Sequence, residues 1–543
     1  MGDVILRLRP SGADTPVARL SARPGVALAA AIWLSGALPP RPLCLGLGRC
    51  GRCRVRYVAA APPPLAEEIA ILAPEEVAAG WRLACRHAVP EGTPGGGPLE
   101  LELPPEAFAP AEATSALAKA PERPACGETV VLGVDLGTTS LQWRACAVAD
   151  DGGPVRMLAG GSMLNPQAGA GADIMSRLAY ARKSEGLATL GELARGAVRA
   201  IVDGLAREGA APARICVAAN TAMTDIFLGR DVAGLCAAPY RRSPAGGTTV
   251  ELTGLPPVII PPRPAPLVGG DLSAGLLALM EEDMPRPFVL ADLGTNGELA
   301  LLTEDGRLFL ASVPLGPALE GIGPERGGMA GPGVVTEFRL GPRGPDPVLV
   351  GEDTPAYAGA EAQSISATGY LSLLALLFRL GVLDADGHFA TPADPALPLA
   401  RALASGVAPG PGGARLMLPL CLWLSAADVE LLLKVKAAFA VALTALCRAA
   451  HVAPASLARL ALAGALGEHV RTADLKDLGF APAIPESKIV AVGNASLAGA
   501  MLLAAQPKRL GALAALCERA QVLELTAQPC FQQDYLAQMR LGE

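Results

Sequence analysis

One short motif occurs twice in this chain of 543 residues, at a separation that constrains the fold. "TVVLGVDLGTTSLQWRACAV" begins at residue 129 and "RPFVLADLGTNGELALL" begins at residue 286. Each copy has an aliphatic strand that ends in Asp, then Leu-Gly-Thr, then a second strand, and Asp135 and Asp292 are 157 residues apart. Self-similarity at a fixed spacing indicates a repeated architecture. The pattern therefore predicts a duplicated α/β fold with one acidic glycine turn in each half.

Both turns have the chemistry of a phosphate site. Glycine lets backbone amides approach phosphate oxygens closely, Thr and Asn add side-chain donors, and Mg²⁺ prefers carboxylate oxygens. A single such turn is often only a tight connection between strands, but two matched copies favour an ATP site in which Asp135 and Asp292 hold Mg²⁺ or a catalytic water. No G-x-x-x-x-G-K-[ST] segment occurs, which excludes a P-loop NTPase. The predicted phosphate-binding residues are Asp135, Gly137, Thr138, Thr139, Asp292, Gly294, Thr295 and Asn296.

The stretch "CLGLGRCGRC", residues 44–53, contains both a glycine pattern and a cysteine pattern. The glycines spell G-x-G-x-x-G, but the stretch follows "LPPRPL", a strand-like "RCRVRYVAA" follows it, and the next acidic residue is Glu67. A dinucleotide site needs a preceding strand, a following helix and an acidic residue about 20 positions on. This context therefore argues against a dinucleotide site.

The cysteines approximate the plant-type spacing that holds a [2Fe–2S] cluster by four thiolates. Glycines between them let the loop wrap a small anionic cluster, because they lack Cβ and tolerate positive φ. A zinc site is the alternative, although the five-residue gap is long for a zinc knuckle and the fourth cysteine has no C-x-x-C partner. The predicted cluster ligands are Cys44, Cys50, Cys53 and Cys85.

The segments around these cysteines predict a β-grasp, ferredoxin-like domain. "VILRLRP" and "PVARLSA" read as a hairpin, "GVALAAAIWLSGA" as a helix, and "RVRYVAA" and "LELELP" as further strands. The Ala- and Pro-rich segment that follows is typical of a semi-extended linker that leaves the N-terminal domain mobile. The predicted division is a [2Fe–2S] domain over 1–105, a linker over 106–127, a middle domain over 128–206 and a C-terminal ATPase domain over 207–543.

Composition excludes other classes of function. The net charge of −7, with Lys and Arg scattered and only 4% aromatic residues, argues against nucleic-acid binding. Uncharged runs such as 24–40 and 364–378 fall below the roughly 18–20 apolar residues of a membrane span, so we expect a cytoplasmic protein without a membrane partner. The eight dispersed cysteines are expected to be small buried hydrophobic residues: Cys126, Cys146, Cys216, Cys236, Cys421, Cys447, Cys517 and Cys530.

The two acidic turns resemble the phosphate loops of the actin, sugar kinase and heat-shock-protein ATPase superfamily (ASKHA), which has a duplicated RNase H-like body. Three later segments match that resemblance in order. "ISATGYLSLLALLFRLGVL" and "IVAVGNASLAGAMLLA" resemble the two connecting segments, and "LARLALAGALGEHV" resembles the adenosine loop. The resemblance therefore implies adenosine or connecting roles for Thr368, Gly369, Gly464, Gly467, Gly493 and Asn494.

A plant-type [2Fe–2S] domain fused to such an ATPase resembles the reductive activators of corrinoid proteins over nearly the full length. The matching segments also include "NPQAGAGADIMSR", "NTAMTD", "LVGGDLSAG", "GPALEGIGPERGGM" and "DVELLLKVKAA". The chain departs from the family pattern at Asp225, where a His is usual, at Ser366-Ala-Thr-Gly369, where Cys-Gly-Ser-Gly is usual, and at Leu45, where a Gly usually follows the first cysteine.

The resemblance implies an ATP-dependent, one-electron reduction of an inactive Co(II) corrinoid to Co(I) for a cobalamin-dependent methyltransferase system. The implied cofactors are the [2Fe–2S] cluster, ATP and Mg²⁺. The implied partners are a corrinoid protein and an external low-potential electron donor, and dimerisation is an expectation from the resemblance alone. Three alternatives remain open: an ATP-coupled electron donor to a dehydratase or reductase, a metabolite kinase with a redox sensor, and a non-catalytic ferredoxin–ASKHA scaffold.

Overall fold

The N-terminal segment of the computed structural model folds as a five-stranded mixed sheet, in the order β2-β1-β5-β3-β4. The strands are β1 (Val4–Pro10), β2 (Ala18–Ala22), β3 (Arg54–Tyr57), β4 (Trp81–Leu83) and β5 (Leu99–Leu103), and the helices are α1 (Leu28–Trp33), α2 (Ala66–Ile69) and α3 (Pro74–Ala78). The strands and the helix predicted from the sequence are thus present. The structure describes residues 3–13, 15–39, 43, 48, 51–93, 96–108, 124–125, 127–149, 156–171, 173–182, 184–294, 296–328, 331, 333–352, 354–356, 362, 364–410, 413–464, 470–528 and 530–542.

Apolar and charged side chains alternate along β1, so one face of the N-terminal sheet is buried and the opposite face is charged. Leu6 and Leu8 of β1 point into a core shared with Trp33, while the intervening Arg7 and Arg9 lie on the opposite face. On that face β1 runs parallel to β5, so that Arg7 lies beside Glu100 and Arg9 beside Glu102.

The chain forms two compact units. The first comprises Met1–Pro261 and Ala500–Lys508, and the second comprises Pro262–Gly499 and Arg509–Glu543. Beyond the N-terminal sheet, the first unit contains a six-stranded sheet in the order β10-β11-β9-β6-β7-β8. Its elements are β6 (Glu128–Leu136), β7 (Ser140–Ala149), β8 (Arg156–Leu164), α4 (Ile174–Ala181), α5 (Ser184–Arg207), β9 (Arg214–Ala218), α6 (Thr221–Leu228), β10 (Thr248–Val250) and β11 (Val258–Ile260).

The second unit contains the matching six-stranded sheet, in the order β22-β21-β12-β13-β14-β23. Two three-stranded sheets accompany it, β16-β15-β17 and β18-β19-β20. The elements are α7 (Gly270–Glu281), β12 (Phe288–Leu293), β13 (Asn296–Leu302), β14 (Leu308–Pro314), β15 (Val334–Gly341), β16 (Gly344–Leu349), β17 (Ser364–Ile365), α8 (Ala367–Arg379), α9 (Pro398–Ser405), β18 (Val407–Gly410), β19 (Gly413–Met417), β20 (Trp423–Ser425), α10 (Ala426–Ala450), β21 (Arg459–Ala463), α11 (Thr472–Leu478), β22 (Ile489–Ala491), α12 (Ala495–Ala505), α13 (Arg509–Glu518), β23 (Gln521–Leu523) and α14 (Phe531–Ala537). The residues of α12 from Ala500 onward belong to the first unit.

The two six-stranded sheets share one topology over five strands. In the first, β6, β7 and β8 form an antiparallel meander, and β9 and β11 continue the sheet in parallel from β6. In the second, β12, β13 and β14 form the meander, and β21 and β22 continue the sheet in parallel from β12. Both sheets place the acidic turn between the first two meander strands, as the duplicated motif predicts.

The predicted domain boundary at residue 206 falls near the end of α5, between strands of one sheet. The predicted mobile linker lies mostly outside the described residues. Within the first unit, α1 packs against a 3-10 turn, Pro166–Ala170, and its Ala30 joins the apolar core around β6 and β7. In this structure the N-terminal module packs on the rest of the first unit through α1, and the mobility expected from the linker composition stays a prediction. The apolar face of α1 accounts for the docking.

Among the described residues, no helix is long and apolar enough to cross a membrane.

Candidate functional site

The first acidic turn, residues 136–140, is a tight connection between β6 and β7. Asp135 is half-buried at the end of β6, opposite Gln142. A Cβ on Gly137 would lie 2.9 Å from the carbonyl oxygen of Ser140, so only glycine fits this position without a shift of the backbone. Thr138 is buried and Thr139 is half-buried. The predicted residues of this turn therefore lie together at one sheet edge.

Three buried or half-buried side chains brace this turn. The Asn165 amide donates to the Gly137 carbonyl at 2.7 Å, and the Asn165 backbone N–H donates to the Thr139 carbonyl at 2.9 Å. The Arg177 guanidinium, which is fully buried, donates to the Thr138 carbonyl. Asn220 follows β9 and donates to the Thr138 hydroxyl at 3.3 Å. Because the carboxyl ends of parallel β6 and β9 meet at the same edge, Asn220 reaches the turn.

These bracing residues come from the segments "NPQAGAGADIMSR" and "NTAMTD". Sequence reasoning assigned no individual role to Asn165, Arg177 or Asn220, since their approach to the turn depends on contacts between residues 28 to 82 positions apart. Asp225, the departure from the family pattern, is fully buried in α6 and accepts a hydrogen bond from the Ser243 hydroxyl. The unusual carboxylate thus has a structural partner within the first unit.

The second acidic turn carries a concentration of carboxylates. Asp292 ends β12 and lies opposite Glu298 in the β12–β13 ladder. Glu298 is buried and accepts from the Gly269 N–H at 3.0 Å, just before α7, whose first turn contains Asp271. Burial, reinforced by the negative charges of Asp271 and Asp292, raises the pKa of Glu298 well above its usual value.

Glycines keep this carboxylate group accessible from the sheet edge. A Cβ on Gly464, which follows β21 at a φ of +81°, would lie 2.6 Å from the Asp292 carboxylate. A Cβ on Gly294 would lie 3.6 Å from the Glu320 carboxylate, which places a fourth acid near the turn. Asn296 starts β13, and its carbonyl accepts from the Gly294 N–H at 3.2 Å.

The next parallel strand adds the predicted connecting residues. Gly493, at a φ of +62°, and Asn494 follow β22, and the Asn494 side chain accepts from the Leu497 N–H at 2.7 Å. β22, β21 and β12 are neighbours and run in parallel, so Gly493, Gly464 and Asp292 all lie at one edge of the sheet. Four predicted site residues lie outside the described part of the chain: Cys44, Cys50, Thr295 and Gly467.

Thr368 and Gly369 occupy a different place, at the start of α8. Ser366 caps this helix by accepting from the Gly369 N–H at 3.2 Å and lies 3.0 Å from the Thr368 hydroxyl. A Cβ on Gly369 would lie 2.6 Å from the Val335 carbonyl, so Gly369 lets α8 pack closely on β15. The Ser-Ala-Thr-Gly turn therefore has a capping and packing role in this structure.

The N-terminal module brings two of the predicted cluster ligands together. β3 and β4 pair so that the Ala84 N–H donates to the Cys53 carbonyl at 2.9 Å, and Cys85 is the next residue. Gly48 and Gly51 have φ values of +67° and +64°, and side chains already lie 3.2 Å from where each Cβ would be. Two cysteines on neighbouring backbone segments, beside a loop with glycine at positive φ, are the residue types that a thiolate-bound cluster needs. His87 hydrogen-bonds to buried Glu68 at 2.9 Å.

Of the remaining cysteines, Cys236 is half-buried and Cys126 lies outside the described residues, and the other six divide into two groups. Cys146, Cys216, Cys447 and Cys517 are buried, as predicted, and burial raises the pKa of Cys146 and Cys447 to about 11 and that of Cys517 to about 12. Cys421 and Cys530 are exposed, so the prediction was wrong for them; both lie in loops rather than on the buried face of an element.

The charged residues of "DVELLLKVKAA" lie on helix α10, where their contacts are structural. Asp428 caps the helix with Ser425 and also accepts from the Glu325 N–H at 2.8 Å. Lys436 is buried and donates to the carbonyls of Gln538 and Arg540, at 3.1 and 2.8 Å. Lys434 is exposed and pairs with Glu430. Lys436 therefore has a structural role, because its charge is bound by backbone carbonyls near the C-terminal end of the described residues.

The second unit also contains a cavity of about 730 Å³ between the 386–392 loop and the start of α10. Of the predicted site residues that the structure describes, none lines it. The exposed Asp384, Asp386 and His388 lie close enough to share a cation. Asp386, however, pairs with Arg540. Exposed acidic groups of this kind are common, and the chemistry of the two turns lies elsewhere.

Comparisons with known proteins agree with this arrangement. Residues 130–283 match the "RACo middle region", and residues 286–543 match the "C-terminal domain of RACo the ASKHA domain". A solved structure, "Reductive activator for corrinoid,iron-sulfur protein", is similar in fold with a TM-score of 0.65 at 21% identity. It covers 99% of this chain and 98% of that chain.

Two curated relatives carry related names. The "[Co(II) methylated amine-specific corrinoid protein] reductase" of Methanosarcina barkeri is 29% identical over 303 residues, which are 52% of this chain and 51% of that protein. The "Corrinoid activation enzyme RamQ" of Eubacterium limosum is 24% identical over 406 residues, 70% of this chain and 66% of that protein. The match thus spans about half of the first relative and just under two thirds of the second. From the middle region through the ASKHA domain, this chain belongs to the RACo family.

Proposed function

We propose that this protein is an ATP-dependent reductive activator of a corrinoid protein. It would take electrons one at a time from an external low-potential donor and return an inactive Co(II) corrinoid, carried by the partner protein, to Co(I). In each cycle the donor loses one electron and cobalt gains it, while ATP is hydrolysed to ADP and phosphate. The names of the two curated relatives support the corrinoid partner.

The observation that carries the ATP part is the matched pair of sheets, each with an acidic glycine turn at the same topological position. In the second unit, three carboxylates lie near one another: Asp292, Glu298 and Asp271. Gly464 and Gly493, which follow the neighbouring parallel strands, add no side chains at this edge of the sheet. A group of hard oxygen ligands suits Mg²⁺, which can also bind phosphate oxygens. In the first unit, Asp135 and the turn amides would bind phosphate, and Asn165 and Arg177 would hold the turn in place.

For the N-terminal module we propose a β-grasp [2Fe–2S] domain over 1–105, with Cys44, Cys50, Cys53 and Cys85 as ligands. When bound, the cluster supplies one-electron transfer at low potential. The protein's part is to hold the thiolates close, through the β3–β4 pairing, and to let the loop approach through Gly48 and Gly51. We further propose that the protein acts in the cytoplasm, as the sequence predicts.

Nucleotide is needed because this reduction is uphill when the donor is less reducing than the cobalt couple. Each 59 mV for one electron changes the equilibrium constant tenfold, about 1.4 kcal/mol. ATP can supply that only if its binding and hydrolysis favour different conformations or partner complexes. The conformation of the proposed phosphate turns, or the packing of the N-terminal module, would therefore have to differ between the ATP-bound and ADP-bound states.

ATP hydrolysis with and without a Co(II) corrinoid protein tests the proposal. We expect Mg²⁺-dependent hydrolysis that rises when the Co(II) partner is added and does not rise with an unrelated protein. Hydrolysis that stays flat on adding every candidate corrinoid protein would contradict the corrinoid assignment and favour electron donation to another enzyme. Absence of any ATP hydrolysis would favour a non-catalytic scaffold.

A further inference from the structure

One short segment of the first unit, residues 165–171, contacts both the phosphate turn and the N-terminal module. It begins at Asn165, contains the 3-10 turn Pro166–Ala170 and ends at Gly171, whose φ is +137°. Asn165 and Gln167 are fully buried. Such a segment cannot move at one end without disturbing the groups at the other, because its polar atoms have no water to replace their partners.

At its first residue, the segment holds the phosphate turn. Asn165 makes two hydrogen bonds to the turn, one from its side chain to the Gly137 carbonyl and one from its backbone to the Thr139 carbonyl, at 2.7 and 2.9 Å. These carbonyls flank the amides that we propose for phosphate binding. A displacement of the turn by a bound nucleotide would therefore be transmitted to Asn165.

At Gly169, the segment meets the N-terminal module. A Cβ there would lie 3.0 Å from the Trp33 Cβ and 3.1 Å from two side-chain carbons of Leu34, so the absence of a side chain allows α1 to pack against it. Trp33 is 2% exposed, and its indole N–H is buried with no hydrogen-bond partner among the described residues. The joint is close-packed, and interiors of this kind transmit strain rather than absorb it.

Arg177 links the phosphate turn to the 165–171 segment through hydrogen bonds. Its guanidinium donates to the Gln167 side chain at 3.1 Å, to the Gly171 carbonyl at 2.9 Å and to the Thr138 carbonyl of the turn. Gln167 in turn donates to the Leu190 carbonyl at 2.8 Å. One buried cation therefore joins the phosphate turn to both halves of the 165–171 segment.

We propose that the 165–171 segment is a positioning element that couples nucleotide occupancy of the first acidic turn to the docking of the N-terminal module. The inference rests on the proposed nucleotide site but adds the route by which ATP acts on the module that carries the cysteines. Coupling between two sites is reciprocal. Nucleotide must therefore change the packing of α1 on Gly169, and loosening that joint must change nucleotide affinity.

Hydrogen–deuterium exchange of the full chain, measured on peptides covering residues 28–34, tests this coupling with Mg²⁺ and ATP. In the wild type we expect nucleotide to change the exchange rate there by about fivefold or more, the lower range of coupling between sites. Gly169→Val should abolish that response and shift nucleotide affinity, measured by calorimetry, by about fivefold or more. Gly169→Ala should give a smaller effect in the same direction, since its single Cβ lies 3.0–3.1 Å from Trp33 and Leu34 and needs a shift of only a few tenths of an ångström.

Gly196→Ala is the matched control. Gly196 lies in α5 of the same unit, and nothing lies within 4 Å of where its Cβ would be, so its response to nucleotide should equal that of the wild type. The inference is overturned, with the ATPase proposal left intact, by either of two results. Nucleotide could bind without changing the exchange rate at residues 28–34, or a folded Gly169→Val variant could show the wild-type change in exchange rate. Coupling that persists while Co(II) is never reduced would instead overturn the proposed function alone, and absence of nucleotide binding would overturn both.

Discussion

Replacing Gly464 with alanine tests how closely the second turn is fitted around Asp292. The new Cβ would lie 2.6 Å from the Asp292 carboxylate oxygen, whereas carbon and oxygen that pack well are roughly 3.3 Å apart. The carboxylate or the β21 backbone must therefore move by roughly 0.7 Å. A φ of +81° adds about 1–2 kcal/mol for a residue with a Cβ. We expect a loss of about 1–3 kcal/mol in the free energy of unfolding.

The same displacement predicts the catalytic effect. Misplacement of a catalytic group by about 1 Å costs about 10²-fold in rate, so ATP hydrolysis should fall by roughly 30- to 100-fold. Gly511→Ala is the control, because Gly511 lies in α13 of the same unit with nothing within 4 Å of its Cβ position. It should leave hydrolysis unchanged and stabilise the fold by about 0.5–1 kcal/mol. The prediction is wrong if Gly464→Ala and Gly511→Ala have the same free energy of unfolding in denaturant and the same steady-state rate of ATP hydrolysis.

Four further substitutions test other parts of the account. Asp292→Asn should lower Mg²⁺-dependent hydrolysis by about 10²- to 10³-fold in a steady-state assay, and it should lower the raised pKa of Glu298 because it removes one of the negative charges beside that carboxyl. The folded chain keeps the Glu298 proton over a pH window from about 4.5 up to the raised pKa, so the free energy of unfolding should fall as pH rises through it. Glu298→Gln should flatten that fall when unfolding is measured with a chelator. Arg177→Met should cost about 3–5 kcal/mol in denaturant unfolding, because it leaves buried acceptors unpaired. Gly51→Ala should lower the iron content of the isolated protein, since its φ is +64° and its Cβ would crowd two side chains, whereas Gly97→Ala, which meets nothing within 4 Å, should not.

The local features of the fold were predictable because their causes are local. The two strand–turn–strand units follow from aliphatic runs that end in Asp-Leu-Gly. Because both six-stranded sheets have the same order of strands, the residues that follow their parallel strands lie at the same edge of each sheet. The ferredoxin-like interpretation of the N-terminal module stays a prediction, as do the cluster ligands.

Contacts between distant segments were not predictable from one sequence. Glu298 lies six residues from Asp292, but only the β12–β13 register places it opposite that carboxylate, and only the start of α7 brings Asp271 near. Lys436 looks like a phosphate ligand or a solvated cation in a helix pattern, and its burial against the C-terminal residues depends on a contact about a hundred positions away. The docking of α1 on Gly169 likewise needs tertiary packing.

Whether ATP drives the reduction of a corrinoid partner can be measured directly. Under anaerobic conditions, the reduced protein would be mixed with a Co(II) corrinoid protein, an electron donor and Mg²⁺, and the Co(I) absorbance followed after ATP is added. We expect Co(I) to form only with ATP, and neither the Asp292→Asn variant nor a non-hydrolysable ATP analogue to sustain its formation. Equal Co(I) formation with and without ATP, or none with any corrinoid partner, would contradict this expectation.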